Sequence, residues 1–272
     1  MNHAVLTVEA LSHVYPNGFQ ALKDLNFQVR QGEFVALIGQ NGAGKTTLAK
    51  HFNGLLRPSS GRIRIYGKET RGQKVSSLAR TVGFVFQNPD HQIFHDTVAK
   101  EAAFGPRNLG FEEPEVKNRV KAALQAVGLE KRAEDSPQGL SRGERQRLAL
   151  ASVLAMETEI IVLDEPTTGQ DQTEALEMMD LLGELNRKGH TILFITHDMA
   201  LVARYAQRVL VLCEGTLLLD GSVDTVFAQP DVLSRTLVEP PQIIQLASRL
   251  GLQHILTPED LVAELLPRRV AL

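Results

Sequence analysis

The stretch GQNGAGKT, residues 39–46, carries the G-x-x-x-x-G-K-T spacing of a phosphate-binding loop. It follows the apolar run EFVALI and opens the helical stretch TTLAKHF, the strand–loop–helix context such a loop requires. Gly39, Gly42 and Gly44 let the backbone N–H groups of Gln40, Asn41, Ala43 and their neighbours close around phosphates at a helix N-terminus. Lys45 is placed to reach the β and γ phosphates, the Thr46 hydroxyl to bind Mg²⁺, and Thr47 completes the nucleotide-binding run. Downstream, IIVLDEP is an apolar strand ending in two carboxylates. Asp164 is positioned to act on the metal through water and Glu165 to polarise an attacking water as general base. Gln87, at the end of the run VGFVFQ, offers an amide to Mg²⁺ and water. His197, in FITHD, offers an imidazole donor to a γ-phosphate. Tyr15, in SHVYPNG, can stack on adenine, though an aromatic residue near an edge turn also serves packing.

These groups must be held by strand ends. Strand signals occur in AVLTVEAL, NFQVR, EFVALIG, RIRIYG, VGFVFQ, EIIVLDE, HTILFITH and RVLVLCEGTLLLDG, each bounded by Gly, Asn, Pro or charge. Several are apolar without alternation, as strands covered on both faces are. Helical periodicity marks residues 45–52, 96–104, 114–127, 142–156, 173–188 and 199–205. Strands separated by helices predict a mostly parallel α/β sheet. The alternation breaks over residues 88–156, which read as a helical subdomain inserted into the α/β core. Beyond Gln229, Pro-marked boundaries and two short amphipathic helices near 241–250 and 258–265 predict a small C-terminal helical appendage.

A 272-residue chain is long enough for one large α/β domain plus that appendage. Its net charge of −3, with signs mixed throughout, gives no global reason to expect binding to nucleic acid or to an anionic membrane surface. The longest nearly apolar run, residues 148–156, is well short of the ~18 residues that span a bilayer. The first residues have neither a basic nor a long apolar segment, so no secretory signal is expected. A single cysteine, Cys213, in an apolar strand-like run, reads as a buried packing residue in a reducing, cytoplasmic setting. His91 and His95 are four apart, as helical zinc ligands would be, but the third ligand is missing and Asn-Pro-Asp resists helix.

One order contains all the signals: Tyr15, the phosphate loop, Gln87, LSRGERQ, LDEP, TTGQD, His197. That order resembles the ATP-binding cassette ATPases over residues 1 to about 228. The resemblance implies an α/β P-loop NTPase domain over residues 1–229, with a RecA-like core, an antiparallel β subdomain and an inserted α-helical subdomain, followed by a short C-terminal helical extension over 230–272. It implies ATP and Mg²⁺, and two cassettes facing head to tail. Ser141, Arg142, Gly143 and Glu144 of LSRGERQ would then meet the ATP of the other subunit, with Ser141 and the Gly143 N–H on its γ-phosphate. Asp171 would lie in the loop that communicates between the two sites. FQNPDHQIFHDTVAKEAAFGPRNLG and EPPQIIQLASRLGL look more narrowly like ATPases of energy-coupling factor importers of vitamins, cobalt or nickel. In that family an FGP-type stretch, here 104–106, follows the Gln loop, and the C-terminal extension takes part in pairing the ATPases. The implied partners are a second ATPase, identical or related, an integral membrane energy-coupling component and a substrate-specific membrane component. The implied location is the cytoplasmic face of the membrane, with no nucleic acid involved. Two positions depart from the common signature LSGGQ: Arg142 replaces Gly and Glu144 replaces Gln. Arg142 is expected either to face the phosphates or to pair with Glu144.

Overall fold

Two sheets share one chain in the computed structural model, which describes residues 3–266. The first is antiparallel, in the order β2-β1-β4-β5, and is built from β1 (Ala4–Val14), β2 (Gln20–Arg30), β4 (Ser60–Ile65) and β5 (Lys68–Glu69). The second has the order β10-β9-β3-β8-β7-β6. Its parallel strands are β3 (Phe34–Ile38), β6 (Val82–Val85), β7 (Ile160–Asp164), β8 (Thr191–Ile195) and β9 (Arg208–Cys213), while β10 (Thr216–Ser222) runs antiparallel at the edge.

Every residue of β3, β6, β7 and β8 is buried, which accounts for their unbroken apolar runs. Side chains alternate between two cores. Phe34, Ala36 and Ile38 enter the core beneath the helical part, whereas Val35 and Leu37 face the core shared with the antiparallel sheet. In that second core, α1 (Lys45–Phe52) contributes Leu48, Ala49 and Phe52. A one-turn helix, α2 (Val75–Leu78), precedes β6.

Between β6 and β7 lie α3 (Val98–Asn108), α4 (Glu113–Ala126) and α5 (Arg142–Leu154). The far end of α5 leaves the helical part and lies on the sheet, where Gly83 of β6 is pressed so closely to Val153 that a Cβ would come within 2.1 Å of it. Next come α6 (Gln172–Arg187) and α7 (Met199–Tyr205), whose N-termini are capped by Asp171 and Asp198. After β10 follow α8 (Val223–Phe227), α9 (Pro230–Leu233), α10 (Gln242–Arg249) and α11 (Pro258–Leu265). The last two enclose a small core of their own around Ala247, Ile255 and Leu261. The expected C-terminal extension includes 267–272, which lie outside the described residues.

Local differences from the sequence reading have identifiable causes. RVLVLCEGTLLLDG is two strands rather than one, folded at Glu214 and Gly215, both with positive φ (48° and 82°). NFQVR is only the end of β2, because Asp24 at φ 49° and a register shift break the apolar alternation before it. The helix expected at 96–104 starts two residues later, with Thr97 as its cap, and runs through Pro106 into its last turn. Cys213 is half-buried, its Sγ 3.6 Å from the Arg235 carbonyl, rather than a core residue.

Candidate functional site

The C-terminal ends of adjacent parallel strands are where ligands of such sheets collect. Here β6, β7, β8 and β3 lie side by side, so Gln87, Asp164, Glu165, His197 and Gly39, all at or just beyond those ends, belong to one sheet edge. The phosphate loop needs its glycines. Gly39, Gly42 and Gly44 have φ of 142°, 81° and 100°. A Cβ at Gly39 would lie 2.1 Å from the Leu212 carbonyl oxygen, and one at Gly44 2.7 Å from that of Ala21. Lys45 opens α1 and is buried, its ammonium donating to the carbonyls of Gly39 at 2.7 Å and Gln40 at 3.0 Å. Burial pulls its pKa below the ordinary lysine value, and the negative charges of Glu165 and Asp164 oppose that pull.

Glu165 is the hub of the edge. It sits at φ 47°, a left-handed conformation uncommon for a residue with a Cβ, and its N–H is tied to the Ile195 carbonyl of β8. Its Oε2 accepts from the Gln87 amide at 2.7 Å and from the Thr168 hydroxyl at 2.9 Å. His197 Nδ1 stands 3.7 Å from the same oxygen, with 69% of its side chain exposed against 16% for Glu165. Gln87, Glu165 and His197 therefore converge, and the Gln87 Oε1 is left as the atom available to a cation.

Asp164 is buried, and burial raises its pKa, offset in part by the neighbouring Thr46 hydroxyl. A buried carboxylate influenced by the Thr46 hydroxyl, on the same sheet edge as the Gln87 amide, offers oxygen donors of the kind Mg²⁺ takes. Tyr15 is half-buried, and its hydroxyl bonds Thr47 Oγ1 at 2.9 Å. Its ring meets His13 edge-on at 4.7 Å between centroids. The tyrosine is thus anchored to the first turn of the phosphate-loop helix.

The signature residues gather elsewhere. Around the phosphate loop the cavity is lined by Gly39, Gln40, Asn41, His197, Asp198, Met199 and the later segment Leu237, Val238 and Glu239, with no residue of 141–144 among them. Ser141 caps α5: its hydroxyl accepts from the Glu144 N–H at 3.1 Å, and the Glu144 carboxylate accepts the Ser141 N–H at 2.7 Å. The other oxygen of Glu144 pairs with Arg132 at 2.8 Å. Of the two expectations for Arg142, pairing with Glu144 is not what this conformation shows. Glu144 is committed to the cap and to Arg132, and Arg142 Nε donates to the Thr168 carbonyl at 3.0 Å. Asp171 caps α6, accepting the Glu174 N–H at 2.9 Å.

Sequence reasoning missed three residues. Thr168 holds Glu165, Arg132 holds Glu144, and the buried Gln146 of α5 donates to the Phe86 carbonyl at 3.1 Å, tying the helical part to the Gln87 turn. Only Gln146 left a signal, a lone amide on the apolar side of a helix. The rival pair His91 and His95 is resolved differently from a zinc site, His95 Nδ1 lying 3.1 Å from the buried Glu101 carboxylate.

Residues 22–168 match the ABC transporter family. The energy-coupling factor transporter ATP-binding protein EcfA of Methanocaldococcus jannaschii is 47% identical over 87% of this chain and 86% of its own length. The structure of cbiO1 from Clostridium perfringens, part of the ABC transporter complex cbiONQ, superposes with a TM-score of 0.79 at 38% identity, over 91% of this chain and 100% of that one. The ATP-binding cassette MJ0796, a dimer in a post-hydrolysis state with ADP and Pi, superposes at 0.73 with 27% identity, over 80% of this chain and 98% of that one. The chain spans less than half the length, 45%, 42% and 42%, of three putative ABC transporter ATP-binding proteins that it matches at 48%, 44% and 46% identity. In motif order, fold and relatedness over most of its length, the chain belongs to the ATP-binding cassette family of transporter ATPases, in its energy-coupling factor branch.

Proposed function

We propose that this cassette binds and hydrolyses ATP to drive an energy-coupling factor importer of a vitamin or of cobalt or nickel. The observation that carries the reading is the convergence of Gln87, Thr168 and His197 on the Glu165 carboxylate at the edge that bears the phosphate loop. In this reading the loop amides and Lys45 take the β and γ phosphates, and Tyr15 takes the base. Thr46, Gln87 and Asp164 would hold Mg²⁺, which when bound supplies charge neutralisation on the phosphates. Glu165 orients water and accepts its proton as the water oxygen attacks the γ-phosphorus. The bond to the β–γ bridging oxygen breaks, and ADP departs with the electron pair. His197 donates a hydrogen bond to a γ-phosphate oxygen as charge builds there. A second cassette, identical or related, contributes Ser141 and Gly143 to that phosphate in trans, with Arg142, Glu144 and Asp171 at the same junction. The dimeric relative with ADP and Pi supports this pairing.

Movement passes to membrane partners through the groove around Gln87 and the helical part. In that helical part the exposed rings of Phe94 and Phe104 pack edge to face at 4.7 Å. No described helix is long and apolar enough to cross a membrane, so in this reading the cassette is peripheral, on the cytoplasmic face. The test is Glu165→Gln. ATP binding should persist while phosphate release slows about 10²- to 10⁴-fold, roughly 3 to 5 kcal/mol of barrier. Unchanged hydrolysis would remove Glu165 from the role of base.

A further inference from the structure

We propose that Arg142 is a positioning residue that couples the signature end of α5 to the general base of its own subunit. The proposal rests on the reading of α5 as a clamp for the partner's ATP and of Glu165 as base. Arg142 stands where the common signature has glycine, yet its side chain turns away from the helix start. Nε donates to the Thr168 carbonyl at 3.0 Å, and the guanidinium lies against Gly169, where a Cβ would come within 2.8 Å of Nε and 2.9 Å of Cζ. Gly169 has φ +77°, so neither the backbone nor the space there suits a side chain.

Thr168 is held at one end and holds at the other. Its hydroxyl donates to Glu165 Oε2 at 2.9 Å, and its N–H closes a turn onto the Glu165 carbonyl at 3.2 Å. The path Arg142, Thr168, Glu165, Gln87 is thus an unbroken run of hydrogen bonds from the signature to the Gln loop.

A second contact closes the same seam. A Cβ on Gly143 would lie 2.8 Å from a carboxylate oxygen of Glu174, in the first turn of α6. One glycine on each side of the seam therefore accommodates a long side chain from the other side: Gly143 takes Glu174 and Gly169 takes Arg142. Glu144, the acid that could have neutralised Arg142, is held by Arg132 and the Ser141 N–H. A shift of α5 when the partner's nucleotide is gripped is transmitted to the turn that fixes Glu165. Each subunit then matches the set of its own base to the occupancy of the opposite site.

The experiment measures steady-state hydrolysis and ATP binding with the full chain as the homodimer, or with its partner ATPase. Arg142→Ala should lower kcat about three- to tenfold and bring the Hill coefficient for ATP toward one. The ATP affinity of the Glu165→Gln background should stay within about twofold. Arg142→Lys should recover part of the loss, since an ammonium can still reach a carbonyl. Thr168→Val should show the same loss, and the double variant should lose no more than either single one, because both act along one path. The proposal is overturned by an unchanged Hill coefficient and kcat, by additive losses, or by a loss confined to ATP affinity, which would make Arg142 a phosphate ligand. Ser141→Arg separates the two levels: if it leaves ATP-induced pairing and turnover intact, the clamp reading of α5 fails whatever Arg142 does.

Discussion

At the scale of single residues, type and local spacing single out the groups proposed to carry chemistry, and folded surroundings decide what each one touches. Lys45 could be named from GKT alone, but its burial against two loop carbonyls is a tertiary fact. Removing a buried ammonium that holds the loop, and that in the proposed function balances phosphate charge, leaves nothing local to replace it. Lys45→Ala should lose nucleotide binding itself, read by fluorescent ATP-analogue titration, and tight binding by that variant would contradict the phosphate-loop assignment.

His51 shows what spacing cannot reveal. Nothing in TLAKHF marks it, yet it is buried in α1, its Nδ1–H donating to the Thr47 carbonyl at 2.7 Å and its Nε2 facing His13 Nδ1 at 3.2 Å. Burial is the main cause that lowers its pKa from 6.5 to about 4. Between those values the unfolded chain binds a proton that the folded chain does not, so stability rises with pH across the window and is lost on acidification. The loss amounts to roughly 3 kcal/mol by the low end. His51→Gln should flatten the change in urea midpoint between pH 6.5 and 4.5 relative to the parent; identical slopes would contradict the linkage.

At the scale of elements, legibility followed the strength of the periodic signal. The buried parallel strands were visible because a strand covered on both faces must be apolar at every position, each large side chain contributing ~1.5–3 kcal/mol on burial. The antiparallel strands were harder to see. Ala10 and Asp24, both at positive φ, break their alternation, and the pairing that makes those breaks tolerable lies in another strand. The seat of α5 on β6 belongs to this scale too. A methyl at Gly83 would come within 2.1 Å of Val153 and 2.7 Å of Thr158. Gly83→Ala should therefore destabilise the fold by about 1–3 kcal/mol through overpacking, measured as a lower urea midpoint with the slope retained.

At the scale of the whole molecule, strand order makes the site. Gln87, Glu165, His197 and Gly39 come from strands that neighbour one another as β6, β7, β8 and β3, an order that no local pattern encodes. The same scale governs coupling to partners. Phe94 and Phe104, 64% and 41% exposed, stack on each other at the surface rather than in the core. Replacing both with Ser should leave hydrolysis by the isolated cassette within about twofold and weaken co-purification with the membrane components. Retained co-purification would place the docking surface elsewhere.

By itself the sequence determined the candidate groups, a phosphate-loop motif, an acid pair, a glutamine, a histidine and a signature helix, because such motifs are short spacings that survive in one dimension. It also determined the family, because the order of those motifs is itself a linear property. Only the tertiary structure decided which groups meet. Glu144 turned from Arg142 to Arg132, Thr168 joined Glu165, and residues 237–239 reached the phosphate loop, because hydrogen bonds and packing act through space between segments whose separation along the chain carries no record of their contact.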